Sequence, residues 1–402
     1  MRALSNAADQ PLMVDLRLGV TMVLPPQVAT EAESAAEALL RLARYPTGNP
    51  GWREYHGRFV SRYGSGAVVP VEQLVDPTAG LGFPRHYSQQ GRPVPAAGMS
   101  RRDERLLRLA QQAALDSARE IVLDDDDIDA LAVSGRDAVR SAPHVDLCVE
   151  IRAPTATALA EGAFMLAVTG IGPTAIATTG RFLDVVSNAD RQRMVTLYGR
   201  LPVGVEGALP AQLSFPPNHP RVQNVVRAPL VLPHVISLGE HRAGVRGRIP
   251  VQDLAVTADN DRLYVVSLSR RRVVEPVLTH AAARHTMPAL ARLLCEIPRA
   301  TSAAVAARRA GGPAISPRGN RRTVSAAGTL TSAWPTASPL SRVSSLPRRS
   351  PRDRSFWYMR DVIWPGRPAA LRLPRPALRV PTTLAAGPRV DPNVCFGLAI
   401  AD

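Results

Sequence analysis

With 402 residues and 45% hydrophobic content, the chain is long enough for two or three domains, and no apolar run approaches the roughly 20 residues of a membrane-spanning helix. The net charge is +15, every basic residue is Arg, and residues 301–402 hold 16 Arg against 4 Asp and no Glu, leaving only +3 for the first 300 residues. Three widely spaced cysteines, Cys148, Cys295 and Cys395, argue against a disulfide framework or zinc site. The N-terminus lacks an apolar signal segment, so a cytoplasmic location is expected.

Residues 11–24 alternate Val14, Leu16, Leu18 and Val20 with polar or small residues, the period of a strand. Residues 30–44 are predicted to be helical, with Thr30 as N-cap and Glu early and Arg late, as the helix dipole prefers. A second helix runs from Trp52 to Tyr63 and stops at Gly64. Residues 74–87 are a loop punctuated by Pro77, Gly80, Gly82 and Pro84. An amphipathic helix is predicted over 101–121. The run Asp124-Asp125-Asp126-Asp127 lacks the spacing of a calcium loop and reads as a solvated turn.

Strands are predicted at 144–151 and 163–169, with a short helix or turn between them, and a helix at 187–199. Further strands are predicted at 211–215, 231–238 and 263–268, then a helix from Ala289 to Glu296. The fold class expected is α+β, with mixed sheets and packed helices over about residues 10–299. Beyond Arg299 the periodicity fades. Residues 301–402 carry 13 prolines and abundant Ser, Arg and Ala, a composition expected to leave the tail largely disordered. A shifted reading frame in GC-rich DNA would also produce it. Two regions are expected on this basis, 1–299 and 300–402.

No Walker loop, dinucleotide fingerprint, zinc-protease motif or nucleophile elbow is present. His234, on an apolar strand, reads as a hydrogen-bonded core residue. Asp15 interrupts the apolar alternation of the first strand, where a carboxylate is costly unless paired or exposed. Arg181 follows the Thr- and Gly-rich Thr178-Thr179-Gly180 and is placed to present a guanidinium, a group suited to holding carboxylate or phosphate.

The string Arg58-Phe59-Val60-Ser61-Arg62-Tyr63-Gly64, followed by Val69-Pro70-Val71-Glu72-Gln73-Leu74-Val75-Asp76-Pro77 and Gly80-Leu81-Gly82-Phe83-Pro84, resembles the glutamylation domain of lantibiotic dehydratases. Other strings keep the family order: Met13-Val14-Asp15-Leu16, Thr179-Gly180-Arg181-Phe182, Phe215-Pro216-Pro217, Arg221-Val222-Gln223-Asn224-Val225, Leu232-Pro233-His234, Asp253-Leu254-Ala255-Val256 and Arg262-Leu263-Tyr264.

The resemblance covers roughly residues 10–299 and implies an enzyme that uses glutamyl-tRNA as co-substrate, without another cofactor or a metal, to glutamylate Ser and Thr of a precursor peptide. It implies catalytic roles for Asp15 and Arg181, and Arg221 and Arg227 suit the tRNA acceptor end. The family's Thr-Pro-Phe-Gly region, leader-binding region and elimination domain have no counterpart in the sequence, so a fragment inactive alone, or one paired with a complementary dehydratase chain, is expected. The alternatives are a non-catalytic folded remnant or partner-binding fragment, and an Arg-rich nucleic-acid-binding protein acting through its tail.

Overall fold

The computed structural model describes residues 15, 17, 23–87, 99–118, 120–132, 142–172, 174–219, 222–240 and 247–303, and beyond these only the backbones of short strand segments between residues 314 and 401. In chain order the elements are α1 (Pro26–Arg41), α2 (Pro50–Tyr63), β1 (Val69–Pro70), α3 (Val71–Val75), α4 (Arg101–Leu115), β2 (Glu120–Leu123) and α5 (Asp125–Leu131). Then come β3 (His144–Arg152), α6 (Ala156–Ala160), β4 (Met165–Gly172), α7 (Asn188–Tyr198), β5 (Leu209–Ser214), α8 (Gln223–Val226) and β6 (His234–Ser237). The series closes with β7 (Arg248–Ile249), β8 (Leu254–Ala258), β9 (Leu263–Ser267), β10 (Arg272–Val277) and α9 (Ala289–Glu296).

Helix boundaries follow local chemistry. α1 begins four residues earlier than expected, because Pro25 and Pro26 occupy positions whose N–H groups have no intrahelical partner. Thr30 is therefore interior rather than a cap. α4 is opened by a reciprocal Ser100–Asp103 capping box and ends at Leu115, short of the expected 121. The aspartate run is not a solvated turn. Asp124 caps α5 by accepting the Asp127 N–H at 2.8 Å, and Asp125, Asp126 and Asp127 fill the first turn, where the helix dipole favours carboxylates. The strand expected over 11–24 and most of the tail lie outside the described residues.

The larger sheet has the strand order β1-β8-β9-β10-β5-β6-β7. From β1 to β10 neighbours are antiparallel; from β10 to β7 they are parallel. This is the mixed sheet that the α+β expectation requires. One side is closed by the aromatic residues of α2, Trp52, Tyr55 and Phe59, and by Leu293, Leu294 and Ile297 of the α9 region, all buried. A second, antiparallel sheet is built on β3 and β4, with a register shift between Cys148 and Val149. Val145, Leu147 and Val149 face α1, whose Val28, Ala32, Ala35 and Ala36 form an apolar stripe of small residues that admits close approach. The backbone of Val394–Ala401 lies antiparallel to β3 on its other edge.

The string around α2 has a structural explanation. Arg58 and Arg62, one turn apart, donate to the carbonyls of Leu81 and Ala79 at 2.9 and 2.8 Å, and Tyr55 donates to Gly82 O at 2.8 Å. Asp76 accepts the Thr78 and Ala79 N–H groups, both at 2.7 Å. Gly80 sits so close to the backbone that a Cβ there would fall 2.1 Å from Gln73 O, and Gly82 has φ +66°. These residues clamp a loop onto a helix.

Candidate active site

Arg181 lies in a single 3-10 turn, Gly180–Phe182, and its Nη2 donates to Asp15 Oδ1 at 2.8 Å across 166 residues of sequence. The side chains are 16% and 36% exposed, so the pair opens to solvent on the Asp15 side. The guanidinium carbon stands 4.3 Å from the Phe182 ring centroid, a cation–π contact that fixes its plane. Its Nε is buried and has no hydrogen-bond partner among the described residues. A guanidinium offers five N–H donors. Asp15 therefore leaves donor capacity for a second anionic group.

The segment carrying Arg181 is held from several directions. His144 and Asp146, two residues apart on β3 and hence on one face, accept N–H groups from Ala175 (3.0 Å) and Thr178 (2.9 Å). Thr174 Oγ1 donates to Leu278 O at 2.9 Å, and Thr179 Oγ1 is hydrogen-bonded to Tyr198 of α7. Gly180 is packed against β10's exit: a Cβ would lie 2.2 Å from Thr279 O. Beneath the segment, Ile176, Leu183, Met194, Tyr198, Val231, Leu232 and Val277 form a separate apolar cluster. Arg181 thus stands on a packed platform.

Burial sets the electrostatics of this platform. Asp146 is fully buried, and desolvation pushes its carboxyl up to about 6, against which the Thr178 hydrogen bonding acts in the opposite sense. Its Oδ1 has no partner among the described residues. His144 is pushed down to about 3 by burial and then by the nearby Arg299, so it stays neutral. Burial likewise takes His280, which follows Thr279 and meets Phe215 edge-on with ring centroids 5.1 Å apart, down to about 4.

Of the four residues singled out in sequence, Asp15 and Arg181 meet directly. Arg227 is exposed at the C-terminal end of α8, and Arg221 lies outside the described residues. His234 is half-buried rather than fully in the core. Sequence reasoning missed His144 and Asp146. Their signal was available: in His144-Val145-Asp146-Leu147-Cys148-Val149 the polar members alternate with a fully apolar face. Among the described residues, no group of three or more His, Cys, Asp or Glu is arranged to hold a metal, and no helix is long and apolar enough to cross a membrane.

A mixed-sheet α+β body with an arginine–carboxylate pair at a loop is a fold class that does not by itself fix a chemistry. The family model described as "Lantibiotic dehydratase, N terminus" matches residues 1–311, and the chain belongs to this family. Among solved structures it is similar to the tRNA-dependent lantibiotic dehydratase MibB from Microbispora sp. 107891, at 32% identity and TM-score 0.64, over 70% of this chain and 28% of that one. It also matches the glutamylation domain of TbtB from thiomuracin biosynthesis, bound to 5'-phosphodesmethylglutamycin (18% identity, TM-score 0.41, 69% of this chain and 35% of that one). A second structure of the TbtB glutamylation domain from thiomuracin biosynthesis matches at 20% identity and TM-score 0.39, over 68% of this chain and 34% of that one. The chain thus spans about a third or less of the proteins it matches. No curated protein sequence matches it.

Proposed function

We propose that this chain contributes the Asp15–Arg181 pair to glutamyl transfer from glutamyl-tRNA to Ser or Thr of a precursor peptide. The observation that carries the reading is the 2.8 Å contact between two residues 166 positions apart, each picked out by a family string. In the transfer, a peptide hydroxyl oxygen bonds to the glutamyl carbonyl carbon. The ester bond to the tRNA ribose breaks, and the ribose oxygen leaves with the proton that the hydroxyl gave up. Arg181, with donors left over, holds the glutamate side-chain carboxylate or the terminal phosphate. Asp15 orients the glutamyl ammonium or the attacking hydroxyl by accepting its hydrogen. Charged tRNA is a cytoplasmic reagent, which fits the expected location. A complementary dehydratase chain is a further partner that this reading admits.

The test is binding of a non-hydrolysable glutamyl-tRNA against deacylated tRNA. Wild type should prefer the glutamylated form. Arg181→Ala and Asp15→Asn should erase that preference, by about 10- to 100-fold if one charge-assisted hydrogen bond of about 1.5–3 kcal/mol is removed. A preference retained in both variants would remove the pair from the site.

A further inference from the structure

The parallel part of the larger sheet ends its strands on one edge, and the segment before Arg181 packs there. β10, β5 and β6 run side by side, with Val277 paired to Gln212 and Ser214 paired to Ser237. Ala211, Leu213 and Phe215 face the core shared with α2 and α9. Gln212 and Ser214 therefore face the opposite way, toward the cluster that holds Ile176, Leu183 and Val277. Two residues past the Val277–Gln212 pair, Thr279 comes alongside Ser214, and its Oγ1 accepts from Gln212 Nε2 at 3.1 Å on this face. Gly180 packs on Thr279 O. The carboxyl ends of parallel strands are where open sheets bind ligands, because side chains from several strands converge there.

A carboxylate occupies the same edge. Ser214, buried at the end of β5, donates its hydroxyl to the Glu240 carboxylate. The turn that carries Glu240 is fixed. Leu238 N donates to Ser214 O at 2.8 Å, Ser237 Oγ donates to Glu240 O at 2.7 Å, and Gly239 between them has φ +69°. Glu240 itself is half-buried. A carboxylate has about four acceptor sites on its two oxygens, so it can hold a cationic donor while it accepts the Ser214 hydroxyl. His280 feels this charge, yet burial outweighs it and keeps the imidazole neutral, so His280 does not cancel the carboxylate.

We infer that Glu240 is a further binding residue of the site and takes the α-ammonium of the glutamyl group, while Arg181 takes its side-chain carboxylate. The inference rests on the proposed use of glutamyl-tRNA and deepens it. A glutamyl ester carries one positive and one negative group, since its α-carboxyl is bound to the ribose. About 5 Å separates them in the extended group, and a hydrogen bond of about 2.8 Å at each end brings the span to roughly 10 Å. Gly180 is in backbone contact with Thr279, and Ser214 lies one strand spacing of about 4.8 Å beyond, so the two anchor points stand roughly 10 Å apart. The two charges together select glutamyl over glutaminyl, which lacks the anion, and over any acyl group without a free amine. Asp15 is left to the attacking hydroxyl.

The test measures binding of the full chain to three tRNAs with amide-linked acyl groups: glutamyl, N-acetylglutamyl and glutaminyl. Wild type should bind the first about 10- to 100-fold more tightly than either of the others, the range of one charge-assisted hydrogen bond. Glu240→Gln keeps an oxygen for the Ser214 hydroxyl and should melt as wild type does. It should lose the distinction between glutamyl and N-acetylglutamyl and keep that between glutamyl and glutaminyl. Ser214→Ala leaves the charge but frees it from β5, and should narrow the N-acetyl distinction about 5-fold. If Glu240→Gln does not fold, Ser214→Ala decides, and no narrowing overturns the inference. Glu240→Gln with the N-acetyl distinction intact would also overturn it. So would loss of both distinctions in that variant, the mark of a residue that only holds the edge together, or equal binding of all three tRNAs by wild type. Arg181→Ala should lose the glutaminyl distinction and keep the N-acetyl one. If it keeps both while Glu240→Gln loses the N-acetyl one, the Arg181 reading fails and the Glu240 site stands.

Discussion

Replacing Asp146 by Asn should stabilise the protein at about pH 8 and leave it nearly unchanged near pH 4. Asp146 is fully buried, one of its oxygens is unpartnered among the described residues, and its carboxyl is pushed up from 3.8 to about 6. A folded-state value above the unfolded one means that the group's contribution to stability is fully present below 3.8 and is lost as pH rises through about 6. The shift of about two units corresponds to at most ~3 kcal/mol at high pH. That figure already includes the Thr178 hydrogen bonding, and Asn keeps a carbonyl to accept the Thr178 N–H as the protonated acid does. The expected gain is therefore at most ~3 kcal/mol, or roughly 6–12 °C in melting temperature for a body of this size. Thermal melts of wild type, Asp146→Asn and Asp146→Ala across this pH range measure it. His144, held at about 3, costs stability as pH falls below its unfolded value of 6.5, but this cancels in the wild-type-minus-Asn difference. Asp146→Ala, which strands the Thr178 N–H, should lose about 1–3 kcal/mol relative to Asn at every pH. A wild-type-minus-Asn difference that does not vary with pH, or an Asn variant less stable at pH 8, would show that burial does not disfavour the Asp146 carboxylate.

Gly180→Ala places a methyl group 2.2 Å from Thr279 O, against backbone that cannot rotate away. It should cost about 1–3 kcal/mol in melts and displace Arg181 enough to weaken discrimination of glutamylated tRNA. Glu296→Gln should cost about 3–5 kcal/mol at neutral pH, because Glu296 is buried among Arg284, Arg292, Trp52 and Tyr87 and its removal leaves guanidiniums unpaired. Burial alone would raise the Glu296 pKa, but Arg284 and then Arg292 outweigh it and hold the carboxyl low. The stability it contributes is therefore present above the usual glutamate range and lost as pH falls through its folded value, so the deficit of the Gln variant should shrink in acid.

Periodicity locates what is local. α2, α7, α9 and the β3 and β4 strands stand close to where the alternation places them, because each buries one face against one neighbour. The start of α1 escapes it because a Pro-Pro pair reads as a breaker unless it is recognised as a first-turn signal. The pairing of β1 with β8, and the change from antiparallel to parallel neighbours at β10, arise from contacts between segments far apart in the chain, which no window of sequence contains. The same holds at the site. Arg181 and Asp15 stand out through short strings, but their meeting is a tertiary fact. Asp146 is legible in the strand alternation yet easily passed over, because a polar residue opposite an apolar face ordinarily faces water; here the face is covered by the segment before Arg181.

The hydrogen bond from Trp52 Nε1 to Glu296 Oε2, at 3.2 Å, joins residues 244 positions apart. On the ribosome, α2 emerges long before α9 can cover it. At about 5–20 residues per second, Trp52, Tyr55 and Phe59 wait roughly 12–50 s for the segment that buries them. Over that interval the nascent chain presents three large aromatic side chains to the cell, and its yield depends on what keeps them from other chains until Glu296 has been synthesised.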